Sequence, residues 1–220
     1  SLAKKINTQE ATLPETLNPD SLFQEGENTT HYSIIDRDGN VVSNTYTIGY
    51  SFGSGVTIPG TGILLDNQMN NFAYQHGNPE VIDRSASIGN KFEPGKRPMS
   101  TMTPIIVFDE NDQLKLITGS PGGALIPAAV LRVVTGVIDF DLNLGEATML
   151  PRLHKDWPYE NLRLEKGFSK DTLQILTSYG HELEESKTMG STQSILISPK
   201  GKEGFADLRR PNAGVAFQID

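Results

Sequence analysis

The feature that most constrains the fold lies in the middle of the chain. Residues 122–139 carry almost nothing polar besides Arg132 and Thr135, so a helix there is apolar nearly all round and has to be buried against sheets. Pro127 fits such a helix if it lies in the first turn. Immediately before it, Gly119-Ser120-Pro121-Gly122-Gly123 stands where a strand should end and the buried helix begin. Two consecutive glycines at a helix N-terminus leave backbone N–H groups unobstructed, and the helix dipole favours negative charge there, which is what an oxyanion hole requires. The same residues also serve as a plain strand-to-helix turn. Ser120 is a poor nucleophile candidate, because Thr118 replaces the first glycine of a Gly-x-Ser-x-Gly elbow.

Around this helix the sequence reads as antiparallel hairpins. His31 to Ile35 and Val41 to Ile48 are β-branched and aromatic runs joined across an Asp38-Gly39 turn signal. A second pair runs through residues 104–108 and 114–118, and a third through residues 193–198 and 204–208 around Pro199-Lys200-Gly201-Lys202. A further helix starts after Ser169 as its N-cap and stops at Gly180, with Leu173, Ile175, Leu176 and Tyr179 as its apolar face. Hairpins interleaved with a few helices predict an α+β fold in which helices cover antiparallel sheets.

Charge narrows the function classes. Nineteen Lys and Arg against 27 Asp and Glu give a net charge of −8, which offers no general attraction to phosphate backbones, so nucleic-acid binding is not expected. No apolar run approaches the roughly 20 residues of a membrane span. The absence of cysteine removes disulfide, thiolate and Cys-type zinc chemistry without fixing a compartment. His31, His76, His154 and His181 are never spaced i, i+4, so no metal site is expected. Gly53-Ser54-Gly55 is followed by strand-like Val56-Thr57-Ile58 and reads as a β-turn, not a phosphate loop. Asn28-Thr29-Thr30 formally matches a glycosylation sequon. Residues 1–28 are polar, carry Pro14 and Pro19, and read as a tail or linker. With no initial Met, the chain reads as the C-terminal part of something longer.

Several segments are specific in their order and spacing: Thr29-Thr30-His31-Tyr32-Ser33, Gly62 to Phe72 with Gln68-Met69-Asn70-Asn71, Lys96-Arg97-Pro98-Met99-Ser100-Thr101-Met102, Gly119 to Gly123, and Met189-Gly190-Ser191-Thr192. Together they resemble the small, catalytic subunit of the γ-glutamyltranspeptidase family, which includes cephalosporin acylases. The resemblance implies an N-terminal-nucleophile (Ntn) hydrolase with αββα layers, residues 1–28 being a pre-cleavage linker from the large subunit and residues 29–220 the catalytic small subunit. It implies self-cleavage between Asn28 and Thr29, Thr29 as nucleophile, Thr47 as its supporting hydroxyl, and Gly122 and Gly123 as the oxyanion hole. It also implies that Ser100 and Thr101 hold a substrate α-carboxylate, and that Gln68 and Asn71 lie near its amino group. The large subunit is the implied partner and no cofactor is implied; the resemblance suggests a secreted or periplasmic location and leaves a cytoplasmic one open. Elementary chemistry agrees: a threonine hydroxyl needs an adjacent base, and an α-amino group with a pKa of about 7.7 to 8.0 serves once cleavage has exposed it. While Asn28 remains attached, that nitrogen is an amide, and such a chain is a silent zymogen.

Two positions depart from the family pattern. Gly49 and Asn71 stand where many members have asparagine and aspartate, the groups that recognise the α-ammonium of a γ-glutamyl substrate. A hydrogen bond to a charged group contributes about 1.5–3 kcal/mol and a neutral one about 0.5–1.5, so preference for an amine-bearing acyl group falls by roughly tenfold. Two enzymatic expectations stand side by side: a γ-glutamyl amide hydrolase or transferase acting on glutathione-like compounds, and a glutaryl-amide acylase of the cephalosporin type. A ligand-binding protein that never cleaves itself is the third.

Overall fold

The computed structural model describes residues 7–10, 29–72, 90–155, 161–211 and 213–218; Asn28, His76 and nearly all of the linker fall outside them. The first hairpin pairs β1 (Thr29–Ile35) with β2 (Val41–Thr47), and the register sets Thr29 opposite Thr47. Its tight connection is held by Asp36, whose carboxylate accepts the N–H groups of Asp38 and Asn40.

The second sheet has the order β3-β4-β8-β9, all antiparallel: β3 (Ile105–Phe108), β4 (Leu114–Thr118), β8 (Gln193–Ser198) and β9 (Gly201–Ala206). β9 starts earlier than its apolar residues suggest, because Pro199-Lys200 alone make the turn and Gly201 takes φ +119°. A third, mixed sheet joins β5 (Leu153–His154), β6 (Asn161–Leu164) and β7 (Glu182–Glu185), with β6 and β7 parallel across the helix α3 (Lys170–Ser178). Ser169 caps α3 as its sequence suggests, accepting the Thr172 N–H at 3.1 Å; the helix has no buried residue.

The apolar segment forms a 3-10 turn, Gly123–Leu125, running into α1 (Ile126–Ile138) with Pro127 in its first turn. α1 and the short α2 (Leu144–Met149) pack on one face of the four-stranded sheet, where Val133, Val137, Leu144 and Ala147 meet Leu116 and Leu196. Burial of α1 is one-sided. Among the described residues one sheet covers it, and Leu131 on the opposite side is 60% exposed. The β1–β2 hairpin lies against the same sheet: Ser43 Oγ donates to the Thr118 carbonyl at 3.0 Å and Ser33 Oγ to the Gln193 carbonyl at 2.8 Å. The layers are therefore helix, sheet, sheet. That packing sets the His31 ring of β1 against Gly119, just past the end of β4, and brings Thr29 into a cavity with Pro121 of the glycine turn.

Candidate active site

Thr29 is 5% exposed, and its Oγ1 is buried with no hydrogen-bond partner among the described residues. A buried hydroxyl without a partner costs free energy, and such a group calls for an explanation, of which a catalytic role is one. A cavity of about 370 Å³ opens beside it, lined by Thr29, His31, Pro121, Ser191, Gln193 and Arg210 among others; Arg210 Nη1 reaches the Thr29 carbonyl at 3.4 Å.

The strand that carries Thr29 is fixed by His31. Ser33 Oγ gives its proton to the Gln193 carbonyl, so it can only accept from His31 Nε2 at 3.1 Å. Nε2 therefore carries the proton, and Nδ1 accepts from Thr45 Oγ1 at 2.7 Å. Burial holds the imidazole neutral by lowering its pKa from 6.5 to about 4.

Across from Thr29, Thr47 begins a thread of hydrogen bonds through the other expected site residues. Thr47 Oγ1 accepts the Gly49 N–H at 3.0 Å, and its carbonyl accepts from Gln68 Nε2 at 3.2 Å. Gln68 and Asn71 share a 3-10 turn, Gln68–Asn71. Because the Thr47 carbonyl can only accept, Gln68 must present Nε2 there and Oε1 to Asn71, whose Nδ2 donates at 2.8 Å. The Asn71 carbonyl then accepts Asn90 Nδ2 at 2.7 Å, while Asn90 Oδ1 accepts the Met99 N–H at 3.1 Å. Next in the chain, Ser100 Oγ accepts the Met102 N–H at 3.2 Å, and Thr101 Oγ1 donates to the Gly123 carbonyl at 2.8 Å. Thr47, Gln68, Asn71, Ser100, Thr101 and Gly123 thus belong to one connected set. Gly49 adopts φ +89° with a Cβ position 3.0 Å from Asn67 Cβ, so an asparagine side chain there would be strained.

Gly122 and Gly123 sit at φ +139° and +58°. Their first-turn N–H groups have no intrahelical acceptor. Gly190 crowds against this turn: a Cβ on Gly190 would lie 2.7 Å from Ser120 Oγ and 3.1 Å from the Pro121 carbonyl. Ser120 is structural, accepting the Ser191 N–H at 2.9 Å and donating to the Pro121 carbonyl.

Behind Gly190 lies a feature with no signal in the sequence, a buried ionic quartet. Arg152 and Asp207, 1% and 0% exposed, pair at 2.7 Å, and Arg209 joins Asp207 at 3.2 Å and Glu165 at 2.7 Å. Their remaining bonds tie the Met189–Thr192 turn: Glu165 Oε1 accepts the Met189 N–H, Arg152 donates to the Met189 carbonyl, and Asp207 Oδ2 accepts the Thr192 N–H. Burial pushes both carboxyls up. It is outweighed for Glu165 by Arg209 and the Met189 and Arg152 N–H groups, and for Asp207 by Arg152 and the Arg209 and Thr192 N–H groups, so both stay below the usual carboxylate range.

Over most of its length the chain is similar to known proteins. The gamma-glutamyltranspeptidase family model covers residues 1–217. The glutathione hydrolase proenzyme of Escherichia coli K12 is 43% identical over 203 residues, which are 92% of this chain and 35% of that protein. The glutathione hydrolase proenzyme of Pseudomonas sp. A14 is 37% identical, covering 96% of this chain and 38% of that one. The chain thus spans little more than a third of these relatives. Among solved structures, the Helicobacter pylori gamma-glutamyltranspeptidase superposes with a TM-score of 0.74 at 41% identity, over 82% of this chain and 100% of that one. A cephalosporin acylase from Bacillus halodurans gives a TM-score of 0.74 at 29% identity, over 94% of this chain and 37% of that one. The fold is that of the Ntn hydrolases, and the chain belongs to the gamma-glutamyltranspeptidase family.

Proposed function

We propose that this chain is the catalytic part of a γ-glutamyl amide hydrolase or transferase that works through an acyl-enzyme on Thr29. The observation that carries this reading is the buried Oγ1 of Thr29, without a hydrogen-bond partner among the described residues, at the start of a strand that faces Thr47 and shares a cavity with Pro121 of the glycine turn. In the precursor, Thr29 Oγ1 attacks the Asn28 carbonyl; the peptide C–N bond breaks, which frees the Thr29 amine as the acyl group moves to oxygen, and water hydrolyses that ester, releasing the Asn28 carboxylate and restoring the Thr29 hydroxyl. The amine then takes the hydroxyl proton as Oγ1 attacks the substrate γ-carbonyl. The N–H groups of Gly122 and Gly123 receive the oxyanion, and the leaving amine carries the proton away. Water or an acceptor amine then releases the acyl group. Ser100 and Thr101 hold the α-carboxylate, and Gln68 and Asn71 face the α-amino end. The partner is a large subunit supplied by the rest of the precursor, as the proenzyme names of the relatives suggest.

One observation favours a second substrate class. The thread from Thr47 through Gln68 requires a donor at position 71, and Asn71 supplies it. A neutral amide there suits an acyl chain without the ammonium, as in glutaryl amides. The deciding experiment follows the full-length protein by mass spectrometry and by turnover of matched γ-glutamyl and glutaryl anilides. The expected result is a new N-terminus at Thr29, a single uncut chain for Thr29→Ala, and turnover of at least the γ-glutamyl anilide. A different cut site, or normal cleavage of the alanine variant, overturns the assignment of Thr29.

A further inference from the structure

We propose that Asn90 is a positioning residue that sets the span of the acyl pocket by locking its two ends into one frame. The inference rests on the reading above, in which Gln68 and Asn71 form the amino end and Ser100 and Thr101 the carboxylate end. These pairs lie on separate stretches of chain, and among the described residues no regular element joins them. Asn90 does. It is buried, and both halves of its amide are committed to backbone: Nδ2 donates to the Asn71 carbonyl at 2.7 Å and Oδ1 accepts the Met99 N–H at 3.1 Å. One planar group on a one-carbon stem thus fixes the end of the 3-10 turn against the residue preceding Ser100. A carboxylate of the same shape would keep the Met99 bond and set an oxygen against the Asn71 carbonyl. A glutamine would push the two segments apart by a methylene.

A second contact marks this clip as built. Phe92 sets its ring edge-on to Phe72, the residue after Asn71, with centroids 5.3 Å apart and planes at 70°. On the far side, Thr101 Oγ1 is anchored to the Gly123 carbonyl, so the carboxylate end is already registered to the oxyanion turn. Asn90 then registers the amino end to the same frame. An α-amino acid tail carries its carboxylate and ammonium on one carbon, and it satisfies both ends only if their separation is held. Asn90 touches neither Thr29 nor Gly122 by any described bond, so its effect falls on ground-state fit and not on the chemistry of the nucleophile.

The test uses the full-length, self-cleaved enzyme with γ-glutamyl and glutaryl anilides, comparing parent, Asn90→Asp, Asn90→Ala and Phe92→Leu. The expected outcome is a KM for the γ-glutamyl anilide raised about tenfold in both Asn90 variants and about threefold in Phe92→Leu, with kcat within twofold. The rate of cleavage before Thr29 should be unchanged, because that reaction does not use the pocket. The inhibition constant of free glutamate should rise in step with KM, a readout that general loosening of the fold would not move selectively. Unchanged KM values, or a fall in kcat at constant KM, overturn the proposal. Should Asn90→Ala fail to fold, the isosteric Asn90→Asp and the half-exposed Phe92→Leu still decide it. A parent that turns over neither anilide overturns the acyl-site reading itself, and this proposal with it.

Discussion

At the residue scale, the site is a sequence of forced choices of donor and acceptor. The Thr47 carbonyl accepts, so Gln68 donates; Gln68 Oε1 accepts, so position 71 must donate. Asn71→Asp removes that donor and leaves two oxygens facing each other. Gln68 then has to turn its amide, giving Nε2 to the new carboxylate and losing its bond to Thr47. The charge gained outweighs the neutral bond lost for an ammonium-bearing substrate, by about 1–2 kcal/mol. The expected outcome is a roughly tenfold rise in the ratio of kcat/KM for γ-glutamyl over glutaryl anilides, accompanied by a lower kcat on both. A constant ratio would mean that Asn71 does not read the amino end. His31 gives a second prediction at this scale. Its pKa falls from 6.5 to about 4 on folding because burial disfavours the cation. The unfolded chain therefore binds the proton first as pH drops, and the stability that the neutral ring contributes above pH 6.5 is lost between pH 6.5 and about 4. His31→Gln has no such group to titrate. Urea midpoints of parent and variant, measured from pH 7.5 to 4.5, should converge as the pH is lowered.

At the element scale, the glycine turn depends on its neighbour more than on itself. Gly190 stands at φ +67° with Ser120 Oγ and the Pro121 carbonyl where a Cβ would go. Gly190→Ala meets both the left-handed backbone penalty of about 1–2 kcal/mol and a steric push on the residues just before Gly122. We expect a lower thermal midpoint together with a kcat reduced by about 10², the size of effect seen when one oxyanion donor is lost. A variant that loses stability but keeps kcat would show that the turn tolerates the push. The sequence carried the elements that rest on local chemistry: the Asp36-to-Asn40 turn, the Ser169 cap and the apolar run of α1 all declare themselves within a few residues. It did not carry β5, β6 and β7, because strands of two to four residues are too short for a pattern to declare itself and exist by pairing with distant partners. For the same reason Asn90 and the quartet of Arg152, Asp207, Arg209 and Glu165 were not legible. An isolated charged or amide residue announces burial only when the fold has closed over it: Arg152 meets Glu165 across 13 positions and Asp207 across 55, and Asn90 meets Asn71 across 19.

At the scale of the whole molecule, the hairpin that carries Thr29 is built inside out for a free-standing chain. Its inner face is polar, with Thr29, His31, Ser33, Thr45 and Thr47, while its outer face presents Tyr32, Ile34, Val42 and Tyr46 to solvent, Ile34 at 50% and Tyr46 at 54% exposure. Apolar side chains aligned on one face of a two-stranded ribbon are the pattern of a buried sheet, and among the described residues no helix layer covers this face, where the αββα arrangement implied by the family resemblance places one. On the proposed reading a large subunit supplies that layer, this chain spanning little more than a third of its relatives' length. Ile34 and Ile175 offer a controlled comparison, since each is 50% exposed in this chain, one on the outer face of the hairpin and the other on α3. If exposure in the chain were the whole story, a lysine at either position would be within about 0.5 kcal/mol of neutral. A covering layer makes them differ: Ile34→Lys would bury an unpaired charge, costing several kcal/mol, and Ile175→Lys would not. Thermal melts of the full-length protein should therefore show a large drop for Ile34→Lys beside a midpoint near the parent's for Ile175→Lys, whereas equal midpoints would leave the outer face of the hairpin open to water in the whole molecule.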